Sequence, residues 1–303
     1  MRRIFIPVAT AILLTVLSLH YSSGFSFSKI LCELPVSKEV DQPLPDLSGP
    51  YTYLSHGRQS FVFESADGKS VIKFFNQNYF QPHWYHRLPA FPIWKKKQKE
   101  KIAFRQMFYR ESYPLAMQEF PKETGLIYVH LEASSTPLPS ITLIDPSGRS
   151  RQLNLKRTAF VIQKKAKPYL AHLEEIWEKK GMEGMKQEID AWIDFCARRI
   201  AKKISDYDHD IWQNVGVLDG EILFIDPGKF YRNDQIFEEH QYALEWWKAT
   251  HRLHHWLAIH HPDAALYLVE QTEKKERAIL EKELRALNPS KGASSLAIHY
   301  ISP

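Results

Sequence analysis

The spacing of apolar residues changes from a period of two to a helical period along the chain, and this change restricts the fold more than any other feature. Apolar and polar residues alternate over residues 51–54, 60–64 and 71–75. Turns at His56-Gly57 and Asp67-Gly68 separate these segments, and an Asp-Gly pair in this setting is a strong hairpin signal. We therefore expect three consecutive antiparallel strands.

A helical pattern follows from Lys95 to about Gln118. Pro114 should kink this helix or divide it into two. Residues spaced three and four apart predict the buried face. These are Ile102, Phe104, Phe108, Glu111 and Leu115.

The rest of the chain separates into a strand-rich part and a helical part. Further strands are predicted over Gly125–Glu132, Ser140–Pro146 and Arg151–Lys164. From Lys167 onward the pattern is nearly all helical, except for two short strands within Asn214–Phe230. A strand-rich half followed by a helical half predicts an α+β fold in two lobes.

The N-terminus carries the clearest topological signal. Two arginines precede the uncharged run Ile4–Leu19, which fits a signal peptide or a signal anchor. We expect a membrane-anchored or exported protein, with this segment over residues 1–24 and a Pro-containing linker over 25–49. The N-lobe is expected over 50–166, the helical C-lobe over 167–290, and a tail over 291–303.

Composition restricts the function only weakly. The 303 residues are 44% hydrophobic and 25% charged, which excludes wholesale disorder. Two cysteines cannot build a disulfide framework or a zinc site of the usual spacing. The formal charge of +5 is modest, and no nucleic-acid partner is expected from it.

A first group of residues could contact phosphate. The turn that holds Gly57 and Ser60 can bring backbone N–H groups close to phosphate oxygens. Lys73, in the middle of the third strand, can reach the same oxygens. The alternative is that Lys73 is the outward-facing member of a half-buried strand.

A second group offers oxygen ligands and a base. Asp208, Asp210 and Asn214 precede a predicted hairpin, and Asp226 follows its apolar second strand. Asn and Asp supply hard oxygen ligands for Mg²⁺, and a nearby carboxylate can orient or deprotonate a hydroxyl. The alternative is two Asx turns at helix ends.

Taken in order, these residues resemble the protein-kinase-like superfamily across roughly residues 50–260. That superfamily includes aminoglycoside phosphotransferases, fructosamine kinases and lipopolysaccharide sugar kinases as well as protein kinases. The matching positions are Gly57, Lys73, Asp208 or Asp210, Asn214 and Asp226-Pro227-Gly228.

The resemblance implies a β-rich N-lobe and a helical C-lobe that bind ATP and Mg²⁺ between them. Lys73 would hold the α- and β-phosphates, and Glu111 is the preferred helix partner, with Glu100 and Glu119 as alternatives. Gln163 to Ala166 would face the adenine. Asn214 and Asp226 would hold Mg²⁺, and Asp208 or Asp210 would be the catalytic carboxylate.

The chain also departs from the family pattern. The family's catalytic Asp stands five residues before the Asn, where this chain has His209. Asp208 is six residues before Asn214 and Asp210 is four before it, with a slight preference for Asp208. The glycine-rich loop keeps only Gly57, and no long activation segment follows Gly228, which favours small-molecule, sugar or lipid kinases.

Three hypotheses follow from the sequence. The first is an ATP- and Mg²⁺-dependent phosphotransferase that acts on a small molecule, a sugar or a lipid head group. The second is a pseudokinase that binds or scaffolds at a membrane. The third is a membrane-tethered α+β interaction protein unrelated to kinases. Nucleotide, phosphate acceptor and membrane contact are the partners expected.

Overall fold

The computed structural model of the chain describes residues 24–30, 34, 42–81, 92–132 and 138–287. It forms two compact units, an N-terminal unit of residues 1–165 with 227–229 and a C-terminal unit of residues 166–226 with 230–303. The predicted signal segment up to residue 23 and the predicted tail lie outside the described residues. Among the described residues, no helix is long and apolar enough to span a membrane.

The N-terminal unit is built on a seven-stranded mixed sheet with the order β4-β7-β3-β2-β1-β5-β6. Its strands are β1 (Pro50–His56), β2 (Ser60–Glu64), β3 (Ser70–Phe75), β4 (Leu126–His130), β5 (Ser140–Ile144), β6 (Ser150–Asn154) and β7 (Phe160–Lys164). β1 and β5 pair in parallel, and the other neighbours are antiparallel. The α+β prediction and the three strands predicted over residues 51–75 are confirmed.

The single strand predicted over Arg151–Lys164 is wrong. The chain leaves the sheet after Asn154, makes a 3-10 turn over Leu155–Arg157, and returns as β7. The Asn154 side chain caps this turn by accepting a hydrogen bond of 2.9 Å from the Lys156 N–H. A short polar side chain that bonds the backbone two residues on favours a turn over a continuous strand.

One face of the sheet carries an aromatic core to which a predicted linker contributes. Phe61 and Phe63 are buried here, and the Phe25 ring lies against both, at centroid distances of 5.2 and 5.5 Å. Ile30 is also buried in this core. The prediction that the chain before residue 50 is only a linker is therefore wrong for these residues, because they complete the core.

Phe25→Ala is expected to lower the stability of the N-terminal unit by about 3 kcal/mol, because a buried ring is lost and a cavity remains. Hydrogen exchange of the β2 and β3 amides measures this free energy of opening. Leu54→Ala is the matched control, since Leu54 is in the same sheet but largely exposed. Equal stability of the two variants would show that residues 24–30 are a linker after all.

The other face of the sheet is covered by a long helix. The helices of this unit are α1 (Gln77–Phe80), α2 (Pro92–Glu119) and α3 (Pro121–Thr124). The Phe75 ring, at the end of β3, contacts Tyr109 and Tyr113 of α2 at centroid distances of 5.6 and 5.5 Å. Pro114 lies inside the continuous α2 helix, so the predicted division into two helices does not occur.

The buried face predicted for α2 is wrong. Phe104 is 56% exposed and Glu111 is exposed, whereas Tyr109, Tyr113 and Ala116 are buried. Aromatic residues at 104 and 108 and at 109 and 113 allow two helical faces, and the sheet selects the second. Only Ile102 of the predicted set is buried.

The C-terminal unit combines short strands with long helices. Its strands are β8 (Lys167–Pro168), β9 (Ile204–Asp206), β10 (Val215–Leu218), β11 (Glu221–Phe224) and β12 (Phe230–Arg232), and its helices are α4 (Tyr169–Ala201), α5 (Ile211–Asn214), α6 (Glu239–His260) and α7 (Pro262–Leu287). Gly181 interrupts α4 with a positive φ of 57°. β10 pairs with β11 and β8, and β9 pairs with β12.

The three long helices form the core of this unit. Buried residues recur three and four apart along α6, including Tyr242, Trp246 and Leu253. The Trp192 Nε1–H of α4 donates to the Ala249 carbonyl of α6, and the Tyr242 hydroxyl donates to the Glu276 carbonyl of α7. These hydrogen bonds hold α4, α6 and α7 together. The strand β9 follows α4 in the chain and leads into the β9–α5 loop.

Candidate functional site

Asn214 is the residue that organises the candidate site of the C-terminal unit. Its side-chain Nδ2 donates to the Asp208 carbonyl at 3.1 Å. Its own carbonyl accepts from the backbone N–H groups of Ile225 at 2.8 Å and Asp226 at 3.4 Å. Asn214 is buried, so these bonds form away from bulk water. One residue therefore links the loop that holds Asp208 to the segment that holds Asp226.

The hairpin between these residues explains why they meet. β10 begins directly after Asn214, β11 ends directly before Ile225, and Val215 pairs with Phe224. Gly216 is required in this hairpin, since a Cβ there would lie 2.8 Å from the Ala166 Cβ and 2.9 Å from the Lys167 carbonyl oxygen. Antiparallel pairing of β10 with β11 thus brings the two ends of the hairpin, Asn214 and Asp226, close together, and the hairpin was predicted from the sequence.

The two candidate catalytic carboxylates have different surroundings. Asp210 is the N-cap of α5, and its Oδ1 accepts from the Trp212 N–H at 3.1 Å. The backbone of Asp208 is held on both sides, by the bond from Asn214 and by its own N–H, which donates to Asp206 Oδ1 at 2.8 Å. The Asp210 carboxylate therefore caps a helix, whereas Asn214 holds the backbone of Asp208.

Asp206 is buried at the end of β9, and its carboxylate accepts a hydrogen bond from the backbone of the loop at Asp208. Burial raises the pKa of Asp206 to about 7, although the nearby Arg199 guanidinium opposes the rise. His209 Nε2 lies 2.7 Å from the Asp206 carbonyl oxygen, and burial lowers the pKa of His209 to about 4. His209 is therefore neutral near pH 7, and Nε2 is the nitrogen that donates to this carbonyl.

A buried ion network holds β9 against the helices. Arg199 of α4 donates to the Ile204 carbonyl at 2.6 Å and to Glu245 Oε2 of α6 at 3.0 Å. Lys248 donates to the other carboxylate oxygen of Glu245 at 2.9 Å. The Glu245 side chain is 0% exposed. Burial alone would raise the pKa of Glu245, but Arg199 and Lys248 outweigh it and hold that pKa below its usual value.

A small cavity of about 30 Å³ lies beside this network. Asp208, Asp210, Asn214, Lys248 and Arg252 are among the residues that line it. This space is large enough to hold ordered water. The loop carboxylates and two basic side chains thus border the same small space, within the C-terminal unit.

The predicted Mg²⁺ site depends on which oxygen and nitrogen ligands the protein offers. Among the described residues, no group of three or more His, Cys, Asp or Glu side chains could hold a metal ion. Mg²⁺ sites commonly use one or two protein carboxylates together with water and substrate phosphates. Because the Asn214 Nδ2 bonds the Asp208 carbonyl, Oδ1 is turned away from that carbonyl, and it has the hard-oxygen chemistry that Mg²⁺ prefers. Asn214 and Asp226 supply oxygen donors of the type that such a Mg²⁺ uses, and their role as its ligands stays a prediction.

The remaining predicted residues belong to the N-terminal unit. Gly57 and Ser60 bound the β1–β2 turn, where the Gly57 N–H donates to the Ser60 carbonyl at 2.9 Å. The turn is anchored by the Asn76 N–H, which donates to the Gln59 carbonyl at 2.8 Å. A Cβ at Gly57 would meet nothing within 4 Å, so no contact inside the protein requires glycine there.

Lys73 lies in the centre of the sheet, half-buried, between Val62 of β2 and Val161 of β7. Side chains two apart in a strand share a face, so Lys73 is on the face of Phe75, which α2 covers. Its half-buried position is compatible both with a phosphate contact and with the alternative of an outward-facing lysine on a half-buried strand.

Glu111, the preferred helix partner of Lys73, is exposed on the outer side of α2. Glu119, one of the two alternatives, is three residues after the buried Ala116 and seven after the buried Ser112, so it continues the inner face. The preference for Glu111 depended on the wrong helical face, and the choice among the three glutamates stays a prediction.

Gln163 is buried, and its Nε2 donates to the Thr124 carbonyl at 2.5 Å. Its side chain is therefore directed into the N-terminal unit. Any contact of Gln163 with adenine would have to use its backbone.

Sequence reasoning missed the network of Arg199, Glu245 and Lys248. Glu245 is 46 residues from Arg199, and nothing in the spacing of either residue predicts their contact.

No protein-family model matches the sequence. No curated protein matches it either.

Solved structures of the protein WbdD are similar to the chain. The crystal structure of WbdD has 14% identity and a TM-score of 0.36, and the match covers 75% of this chain and 48% of that chain. A complex of WbdD with a kinase inhibitor has 15% identity and a TM-score of 0.38, with 76% and 50% covered. A third, described as the bifunctional kinase-methyltransferase WbdD, has 13% identity and a TM-score of 0.35, with 75% and 47% covered. The chain spans about half the length of these structures, and the likeness is distant.

Proposed function

We propose that the chain is an ATP- and Mg²⁺-dependent phosphotransferase of kinase-like type, with a small molecule, a sugar or a lipid head group as acceptor. The observation that carries this proposal is the hydrogen bonding of Asn214, which ties Asp208 to the Asp226 segment. Phosphoryl transfer needs positioned oxygen ligands and a positioned carboxylate more than it needs covalent chemistry from the protein. Asn214 provides both in one network.

Asp208 is the proposed base. The acceptor hydroxyl oxygen forms a bond to the γ-phosphorus of ATP, the bond from that phosphorus to ADP breaks, and the hydroxyl proton passes to the Asp208 carboxylate. The products are ADP and the phosphorylated acceptor. Asp208 is preferred to Asp210 because the Asp210 carboxylate caps α5.

Asn214 and Asp226 are the residues proposed to hold Mg²⁺. When bound, the ion would neutralise phosphate charge that the protein's own cations do not balance. Asn214 then has a second task, because the same side chain that offers Oδ1 also fixes the Asp208 backbone through Nδ2.

Lys73 is proposed to bind the nucleotide phosphates and Glu119 to orient it. At the start of the segment 113–124, the Tyr113 ring contacts Phe75. At its end, the Thr124 carbonyl accepts from Gln163, the residue of β7 that pairs with Val71. Lys73 lies between Val71 and Phe75 in β3, so this segment runs alongside it. Glu119 is on the inner face of that segment and is the carboxylate best placed to pair with Lys73.

Glu119→Gln is expected to lower the affinity of the full-length chain for a fluorescent ATP analogue about tenfold, because the orienting charge on Lys73 is removed. Glu111→Gln is the matched control on the exposed side of the same helix, and its affinity should equal that of the native chain. Lys73→Met should lose at least as much affinity as Glu119→Gln. If Glu111→Gln weakens binding more than Glu119→Gln, Glu119 is not the partner.

The short connection after Asp226 supports a small acceptor. β12 ends at Arg232 and α6 begins at Glu239, so only residues 233–238 join them. Protein substrates of kinases dock on a longer segment in this place, which the chain does not offer. We also propose that the apolar run Ile4–Leu19 attaches the protein to a membrane or directs its export.

A further inference from the structure

Three exposed aromatic rings surround the loop that carries Asp208, and we call them the aromatic rim. Tyr207 is 54% exposed, Trp212 is 41% exposed and Trp247 is 58% exposed. Large aromatic side chains dominate binding interfaces, and exposed clusters of them mark sites of interaction. All three belong to the C-terminal unit: Tyr207 is on the β9–α5 loop, Trp212 is in α5 and Trp247 is in α6.

Each ring of the rim lies near a side chain that lines the cavity or that contacts such a side chain. Lys248 lines the cavity and lies 5.9 Å from the Tyr207 ring centroid. Arg252 lines the cavity and lies 5.9 Å from the Trp212 ring centroid. The rim therefore continues outward from the space that Asp208 borders.

The third ring is held by stacking. Trp247 stacks on His251 with a centroid distance of 4.0 Å and an interplanar angle of 8°. His251 in turn lies 6.1 Å from the ring of His209, which lines the cavity. Because His251 already holds the Trp247 ring, binding a ligand to its exposed face costs little conformational entropy.

The chemistry of the rim selects an occupant. Aromatic faces pack against the flat apolar C–H surface of a sugar ring, and the sugar hydroxyls can reach a carboxylate such as Asp208. The exposed Arg252 adds positive charge beside the rings, which favours an anionic group on the same ligand.

We propose that the aromatic rim, with Arg252, binds an anionic saccharide as the phosphate acceptor. This inference rests on the proposed phosphotransferase function. The sugar ring stacks on Trp212 and Trp247, the anionic substituent pairs with Arg252, and one hydroxyl lies at Asp208.

Saturation-transfer NMR on the full-length chain tests the site with glucuronate, glucose and uridine as probes. We expect glucuronate to bind, glucose to bind more weakly because it lacks the charge, and uridine to bind least. Trp212→Ala and Trp247→Ala should each weaken glucuronate binding about three- to tenfold, the value of one aromatic contact. Arg252→Met should remove the preference for glucuronate over glucose.

Trp177→Ala is the matched control, because Trp177 is 36% exposed in the same unit, contacts the His261 ring and is not among the residues that line the cavity. The inference is overturned if uridine binds better than glucuronate, if no saccharide binds, or if Trp177→Ala weakens binding as much as the rim variants. Titration with Mg²⁺-ATP in parallel separates the two claims. Nucleotide binding without saccharide binding overturns the rim alone, and saccharide binding without nucleotide binding overturns the phosphotransferase.

Discussion

Asp208→Asn is expected to lower the rate of ADP formation from Mg²⁺-ATP about 100-fold or more, because the base that accepts the hydroxyl proton is removed. Nucleotide affinity should change little, since Asp208 is not proposed to hold phosphate or Mg²⁺. The measurement is steady-state release of ADP by the full-length chain, with and without glucuronate as acceptor.

Asp210→Asn is the control for this variant. Asn caps helices as well as Asp does, so the bond from the Trp212 N–H can be kept and the loop should fold normally. We expect its rate to be within about threefold of the native rate, which is a much smaller decrease than the loss of a general base causes. If Asp210→Asn loses the activity and Asp208→Asn keeps it, the assignment is reversed. A native chain that binds nucleotide but forms no ADP would support the pseudokinase alternative instead.

The second large effect concerns the buried network of the C-terminal unit. Glu245→Leu is expected to lower the free energy of unfolding of this unit by about 3–5 kcal/mol, because a buried pair loses one partner and the other charge stays in the interior. Of the two charges that remain, Arg199 is the more deeply buried, since its side chain is 3% exposed and that of Lys248 is 12% exposed. Hydrogen exchange of the α4 and α6 amides measures the change, and β9 should become less protected because Arg199 also holds the Ile204 carbonyl.

The double variant Arg199→Met, Glu245→Leu provides the control. Replacing both members of a buried ion pair by apolar residues of similar volume is often neutral, so the double variant should recover most of the stability that the single variant loses. If the double variant is less stable than Glu245→Leu, the loss comes from packing around position 245 and not from an unpaired charge.

The sequence predicted local pairing well and long-range packing poorly. The β2–β3 hairpin follows from alternation and an Asp-Gly turn, and both act within a few residues. The face of α2 was misassigned because Phe104 and Tyr109 both offer aromatic faces, and the choice depends on tertiary contacts of Tyr109 with Phe75 of the sheet and Phe80 of α1. Phe25 was missed for a similar reason, since its partners Phe61 and Phe63 are more than thirty-five residues away.

The candidate site shows the same difference between local pairing, which could be predicted, and tertiary contacts, which could not. Asn214 and Asp226 could be predicted to meet because a short hairpin joins them, and its pairing is local. The choice between Asp208 and Asp210 could not be made from spacing, because both lie one residue from the family position. Hydrogen bonds from Trp212 and Asn214 separate the two roles, and such bonds depend on the loop geometry.

The most direct test of the account is the melting temperature of the full-length chain with and without Mg²⁺-ATP, compared with Asp226→Asn. A ligand that binds only the native state at 100 times its Kd stabilises it by about 2.7 kcal/mol. We expect a rise of several degrees that requires both Mg²⁺ and ATP and is absent in Asp226→Asn. No rise at millimolar Mg²⁺-ATP, or an equal rise in the variant, would contradict a nucleotide site built on Asp226.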